Sequence, residues 1–272
     1  MNEVLEELKK LDINERKEYI SKRYEMLENI SSKNDKYNNF HEGFINSKVR
    51  ITLSPGLNLF YTMSGIDYED LIDYVINKDS DFGVIVGATN AVRGFCGKEI
   101  ENSKTVRVEL LEKEIERLML PNEDWFDFVE RCGNDISIKI FKDKGVNRCL
   151  ENAALLQNYL TFLGFDSYFL TLYDVIDQNA HALNVIKIRG ENMIYDISYL
   201  TYDNYGYRPN VALISDEDLE NLKNGGSFTF DACNLIYDGE GNKKIVKEEH
   251  KYILRNKIFQ YYSNYYSNNK KI

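Results

Sequence analysis

The chain has 272 residues, 43% of them hydrophobic, and a formal net charge of -10. That length and apolar content are enough to bury a core in one large domain or two modest ones, which excludes disorder of the whole chain. The excess of acid repels phosphate backbones and no basic patch offsets it, so nucleic acid is not an expected partner.

The first residues, Met1-Asn2-Glu3, run straight into charged sequence without the basic start, apolar stretch and small-residue cleavage site of a secretory signal. A cytoplasmic location is therefore expected. No apolar run approaches the roughly 18 to 20 residues that cross a bilayer, so no membrane span is expected. Apolar residues at Val4, Leu8 and Leu11, and again at Ile20, Tyr24 and Leu27, have the spacing of amphipathic helices and predict two of them over 3–30. Ser31 to Asn39 offers almost nothing to bury and reads as a loop or hinge. A helix is expected over Asp67 to Asn77 and a buried strand over Gly83 to Val86. Gly87 follows that apolar run without the Gly-Lys-Ser/Thr of a phosphate loop, which argues against a nucleotide site.

Leu111, Ile115 and Leu118 predict a helix that Pro121 stops, and Asn122 can cap a second one carrying Trp125, Phe126 and Val129. Next comes a stripe at Cys149, Ala153, Leu156, Leu160 and Leu163, closed by Gly164 as a left-handed cap. Three extended segments follow, Ser167 to Tyr173, Ala182 to Ile188 and Met193 to Ile197, separated by Asp177-Gln178-Asn179 and Arg189-Gly190-Glu191-Asn192. They predict an antiparallel sheet. Ser215 to Asp218 has the form of a capping box for a short helix ending at Gly225, and Asp238-Gly239-Glu240-Gly241 that of a turn between two later strands. From Tyr252 onward the repeated tyrosines at 261, 262, 265 and 266 are compatible with a terminal helix. Helices first and strands afterwards predict an α+β domain. The division expected is a mainly helical region over 1–100, of unknown role, and a catalytic α+β domain over 101–272.

Four cysteines, Cys96, Cys132, Cys149 and Cys233, are scattered through a chain too large to depend on disulfides, and are expected to be reduced thiols. There is no Cys-x-x-Cys pair, and His41, His181 and His250 stand far apart in sequence, so neither a zinc site nor another cofactor is expected. Cys149 opens a predicted helix, where backbone N–H groups and the helix dipole favour a negative sulfur. Such a sulfur attacks a carbonyl carbon if a histidine receives and returns its proton and a third group fixes that histidine. His181 and Asp196 are the candidates. They lie fifteen residues apart, and across a hairpin with an even-numbered loop, an odd separation puts two residues on one sheet face. A tight turn near 188–190 would set them opposite or diagonal, with Cα atoms on the order of 5 to 8 Å apart. A four-residue loop over 189–192 would move them farther apart.

In order and context these residues resemble the transglutaminase-like superfamily, which shares the papain-type fold. Gly145-Val146-Asn147-Arg148-Cys149, followed by Glu151, Ala153, Leu155, Leu156, Leu160 and Leu163-Gly164-Phe165, is similar to that family's Gly-x-Cys helix. His181-Ala182-Leu183-Asn184-Val185 is similar to its His-Ala-Trp-x-x-Val strand, and Gly190 to Asp196 to its Gly-x-x-x-x-x-Asp turn. The resemblance covers residues 143 to 200. It implies a papain-like core with the nucleophile Cys149 at a helix start, packed on an antiparallel sheet that carries the base His181 and the orienting Asp196. It further implies that the Cys149 N–H contributes to an oxyanion hole; it identifies no second donor, and Asn147 and Trp125 are guesses from the sequence alone. The expected activity is acyl transfer from an amide or ester through a thioester, in the manner of a cysteine peptidase or amidase, with a peptide or protein as substrate. Two alternatives stand beside it: an arylamine N-acetyltransferase-like enzyme, and an inactive scaffold of the same fold that binds a protein partner.

Overall fold

The computed structural model describes residues 2–30, 40–45, 49–51, 59–62, 66–95, 120–123, 127, 131, 135–137, 139, 149–174, 179–203, 206–224, 226–237 and 243–255. The loop expected at 31–39, the helix expected around Leu111 to Leu118, the residues Trp125, Phe126 and Val129 of the helix expected after it, the turn at 238–241 and the tyrosines of the tail beyond 255 lie outside these. So does the expected domain boundary at residue 100.

The N-terminal pattern forms α1, Glu3–Lys10, and α2, Ile13–Ile30. Asn2 caps α1 by accepting the Leu5 N–H at 3.1 Å, and acidic Glu3 and Glu6 and basic Lys9 and Lys10 complement the helix dipole at either end. A capping box starts α2: the Asp12 carboxylate accepts from the Glu15 N–H at 2.9 Å while the Glu15 carboxylate accepts from the Asp12 N–H at 2.9 Å. Short strands β1, Phe40–Glu42, β2, Val49–Ile51, and β3, Leu59–Thr62, follow. Next are α3, Glu69–Val75, inside the span expected for it, and α4, Asp81–Phe95.

The strand expected at Gly83 to Val86 is corrected by α4, which contains all four residues. A short apolar run does not by itself distinguish a strand from a buried helix. Here Val84, Ile85, Ala88, Ala91 and Val92 are all buried, at the spacing of one helical face. Gly87 has a packing role in that helix: a Cβ on it would lie 2.6 Å from the Tyr74 carbonyl oxygen and 2.9 Å from Val75 Cγ1. Its missing side chain lets α4 lie against the end of α3.

The short strand β4, Asp135–Ser137, pairs parallel with β3, which β2 flanks on the other side. The long helix then follows as α5, Cys149–Phe162. Gly164, at φ +85°, ends it in a Schellman turn, with the Phe165 N–H donating to the Leu160 carbonyl at 2.9 Å. The stripe predicts one buried face, but residues 151–160 are all buried, so α5 is enclosed on every side.

The main sheet is built from β1 and from β5, Ser167–Asp174, β6, Asn179–Ile188, β7, Glu191–Asp203, β8, Gly206–Ile214, β9, Ser227–Tyr237, and β10, Lys243–Arg255. Its seven strands run in the order β1-β5-β10-β9-β8-β7-β6, and β6 also pairs with β5, so β5 to β10 form a closed circuit. Each of these pairings is antiparallel. Tyr252 to Arg255, where the sequence suggested the start of a helical tail, belong to β10 and pair with β9. Between β8 and β9 lies α6, Asp216–Lys223, capped as expected: Ser215 Oγ accepts the Asp218 N–H at 3.0 Å.

Together these elements make a mixed α+β fold. One apolar cluster joins Val4, Leu5 and Leu8 of α1, Leu71 and Val75 of α3, Val84 and Val92 of α4, most of α5, and Phe169, Ile186, Tyr195 and Val211 of the sheet. A second cluster, on the other face of β5 to β8, holds Leu170, Leu172, Leu183, Val185, Ile194, Ala212 and Ile214 with Leu219 and Leu222 of α6. Among the described residues no helix is long and apolar enough to cross a membrane.

Candidate active site

Cys149 is the first residue of α5, a free thiol, half-buried and packed against the edge of the larger cluster. At a helix start the first backbone N–H groups have no partner within the helix, so they and the dipole present positive charge to an atom placed there. The side chain therefore stands where α5 is most electropositive, while the rest of the helix holds it against the sheet. Residues 141–148, including the candidate donor Asn147, lie outside the described residues, as does Trp125.

The other two residues come from the β6–β7 hairpin. Ile188 pairs directly with Glu191, leaving a two-residue loop of Arg189 and Gly190. Both have positive φ, 52° and 84°, the backbone of a type I′ turn whose twist matches the strands it joins. Of the two loop lengths open to the sequence the shorter is present, and it sets the register with Asn184 opposite Tyr195. Continued by one pair, that register sets Asp196 across from Leu183, diagonal to His181 and on the same face. The two side chains meet: His181 Nε2 lies 2.6 Å from Asp196 Oδ2. Immediately after Asp196 the β7–β8 register shifts, Asp196 pairing with Asn210 but Leu200 with Pro209. Such a bulge ends regular pairing and re-aims the strand beside the carboxylate.

Only 5% of His181 is exposed and Asp196 is fully buried, so little water screens the pair. Burial acts to lower the imidazole pKa, but the Asp196 charge and hydrogen bond, joined by a hydrogen bond and charge interaction with Cys149, outweigh it and hold the pKa well above its ordinary value. The imidazole thus interacts with both partners. With Nε2 directed at Asp196, Nδ1 is the nitrogen left for the sulfur. The structure brings Cys149, His181 and Asp196 together, from a helix start and two adjacent strands.

Sequence reasoning passed over the polar side chains of α5 and its neighbours that fix these elements to one another. Asn158 accepts the Ile45 N–H at 2.7 Å and donates to the Ile45 carbonyl at 3.0 Å. Gln157 Nε2 donates to the carbonyls of Gly43 at 2.9 Å and Ser167 at 2.8 Å. Asn184 Nδ2 donates to the Ala153 carbonyl at 2.9 Å. For Gln157 and Asn184 the available signal was an amide beside or within an apolar helical or strand face, where it needs a partner; Asn158 lies opposite the stripe, so no local signal marked it as buried. On the next strand, the Tyr195 hydroxyl, adjacent in sequence to Asp196, meets Thr89 Oγ1 of α4 at 2.8 Å.

Among the described residues no group of three or more His, Cys, Asp or Glu is arranged to hold a metal ion. No protein-family model matches the chain, and no curated protein sequence matches it.

Proposed function

We propose that the chain is a cysteine-dependent acyl-transfer enzyme of the transglutaminase-like, papain-related kind, acting on an amide or ester and most simply as a peptidase or amidase. The observation that carries this reading is the buried imidazole that bonds Asp196 at 2.6 Å and also interacts with the thiol at the start of α5. Each residue has a structural use of its own. An isolated cysteine commonly packs as a small apolar residue, and a buried histidine commonly just satisfies a carboxylate. A structural His–Asp pair has no need of a thiol beside it.

In this reading Cys149 Sγ, its proton passed to His181, attacks the carbonyl carbon of the substrate. The carbonyl oxygen becomes an oxyanion, which in this reading accepts from the Cys149 N–H. The carbon–nitrogen or carbon–oxygen bond breaks as His181 returns its proton to the leaving group, and the acyl group remains on sulfur as a thioester. Water, giving a proton to His181, then attacks the thioester, releases the acid and restores the thiol. An amine in place of water gives the transglutaminase-type outcome. Asp196 holds the ring in orientation and stabilises the imidazolium throughout.

The test is acylation by an activated ester such as p-nitrophenyl acetate, followed by intact-protein and peptide mass analysis. One acetyl group on Cys149, lost in Cys149→Ala and strongly reduced in His181→Ala, is the expected result. Faster acetylation by acetyl-coenzyme A than by the ester would favour the acetyltransferase reading. Cys149 acylated no faster than the other cysteines, and indifferent to His181→Ala, would leave the binding scaffold and overturn the enzyme.

A further inference from the structure

The nucleophile and its base stand on different elements, so their separation depends on how α5 lies along β6. Most of what joins the two is apolar: Ala153, Leu156 and Leu160 of the helix share a cluster with Ala182, Ile186 and Ile188 of the strand. Dispersion and hydrophobic contact are non-directional, and such a surface tolerates small slides that alter a hydrogen-bond distance. The Asn184 amide interrupts it with directional bonds, the shorter of them to the backbone. Asn184, three residues after His181, donates from Nδ2 to the carbonyl of Ala153, four residues after Cys149, at 2.9 Å. The same nitrogen lies 3.4 Å from Gln157 Oε1, and Gln157 in turn holds Ser167 of β5.

The cost of this residue argues for a positional use. Asn184 is fully buried and its Oδ1 has no hydrogen-bond partner, although a buried acceptor left unmade is unfavourable. Nor does the Ala153 carbonyl need Asn184, since it sits in the interior of α5 and accepts from its own helix. An apolar side chain of similar size would remove the orphaned acceptor and keep the contact area. What it would not supply is a fixed point between helix and strand.

Building on the acyl-transfer reading above, we propose that Asn184 is a positioning residue: its bond to the Ala153 carbonyl fixes α5 along β6 and so holds the Cys149 thiol at His181. It touches no reacting atom, and its effect reaches the chemistry through those two side chains. Misplacement of a catalytic pair by about an ångström costs up to 10²-fold in rate, so a loss of roughly tenfold is the scale to look for.

The experiment compares Asn184→Leu with Asn158→Leu in the full chain. Asn158 sits on the same helix, equally buried, but clamps the Ile45 backbone. Three quantities are read: thermal midpoint, pH–rate profile for carbamidomethylation of Cys149 by iodoacetamide, and pH titration of the His181 ring by NMR. Asn184→Leu is expected to keep a cooperative melt while slowing Cys149 alkylation near neutral pH by roughly tenfold and moving the His181 titration toward that of Cys149→Ser. Asn158→Leu is expected to lower the thermal midpoint and leave both profiles as in the wild type. If Asn184→Leu does not fold, Asn184→Ser, too short to reach the Ala153 carbonyl, is held to the same expectation. A wild-type profile in the folded Asn184 variant, or an equal loss in Asn158→Leu, overturns the proposal. His181→Ala separates the two levels: if it slows alkylation and the Asn184 variant does not, only the positioning role fails. If His181→Ala itself has no effect, the acyl-transfer reading fails and the positioning role falls with it.

Discussion

At the scale of single residues, the pair most open to test is His181 with Asp196. Burial pulls the imidazole pKa down while the carboxylate and the Cys149 interaction push it up, and the upward causes prevail. A group whose folded pKa lies above its unfolded value, about 6.5 for histidine, contributes stability that is fully present below that value. The contribution is lost as pH rises through the folded pKa. Replacing Asp196 by Asn leaves burial opposed by far less, so the imidazole pKa should fall and the low-pH contribution should vanish. Urea unfolding is expected to find Asp196→Asn destabilised by about 3 kcal/mol near pH 6, with the gap from the wild type closing as pH is raised. A gap that widens with pH would mean that the carboxylate does not raise the histidine pKa. Both residues could be chosen from the sequence as the imidazole and carboxylate that follow the thiol, and their odd separation is compatible with one face across a hairpin with an even-numbered loop. The direct contact could not, since the parity is the same for a two-residue loop and a four-residue one.

At the scale of elements, legibility followed local chemistry. The start and end of α5 could be read because Gly164 supplies a left-handed cap after a helical stripe, and α6 because Ser215 caps Asp218. The β6–β7 strands were recognisable, but not that Glu191 and Asn192 extend β7 rather than the loop. Gly83 to Val86 was misread because four residues are too few to separate a period of 2 from one of 3.6, and Ala88, Ala91 and Val92 continue the helical face only later. The pairing of β1 with β5 joins Phe40 to Leu170, a contact between distant segments that no local pattern announces. Helix propensity alone would make Gly87→Ala stabilising by about 0.5 to 1 kcal/mol. The contacts of 2.6 and 2.9 Å that a Cβ would make with Tyr74 and Val75 reverse the sign. The variant is expected to be destabilised by about 1 to 3 kcal/mol in chemical denaturation; a stabilised variant would show that α3 and α4 are not so closely packed.

For the molecule as a whole, the helices supply the thiol and the sheet supplies the imidazole and carboxylate, and one apolar cluster running from Val4 to Val211 joins the two. Polar ties reinforce that union at the far end of α5, where Asn2 Nδ2 donates to the Leu163 carbonyl at 2.6 Å and Arg23 Nε to that of Phe162. The N-terminal helices thereby brace the helix that carries Cys149, a use for them that their sequence did not disclose because it lies wholly in contacts with residues more than a hundred positions away. This packing sets the Cys149 thiol beside the His181 imidazole. The measurement that tests it most directly is peptide-level mass spectrometry of the native protein after brief iodoacetamide treatment across a pH series, in the wild type and in His181→Ala. Near neutral pH alkylation is expected to concentrate at Cys149 over Cys96, Cys132 and Cys233, and His181→Ala to abolish the preference. Equal labelling of Cys149 in the two proteins across the series would contradict it.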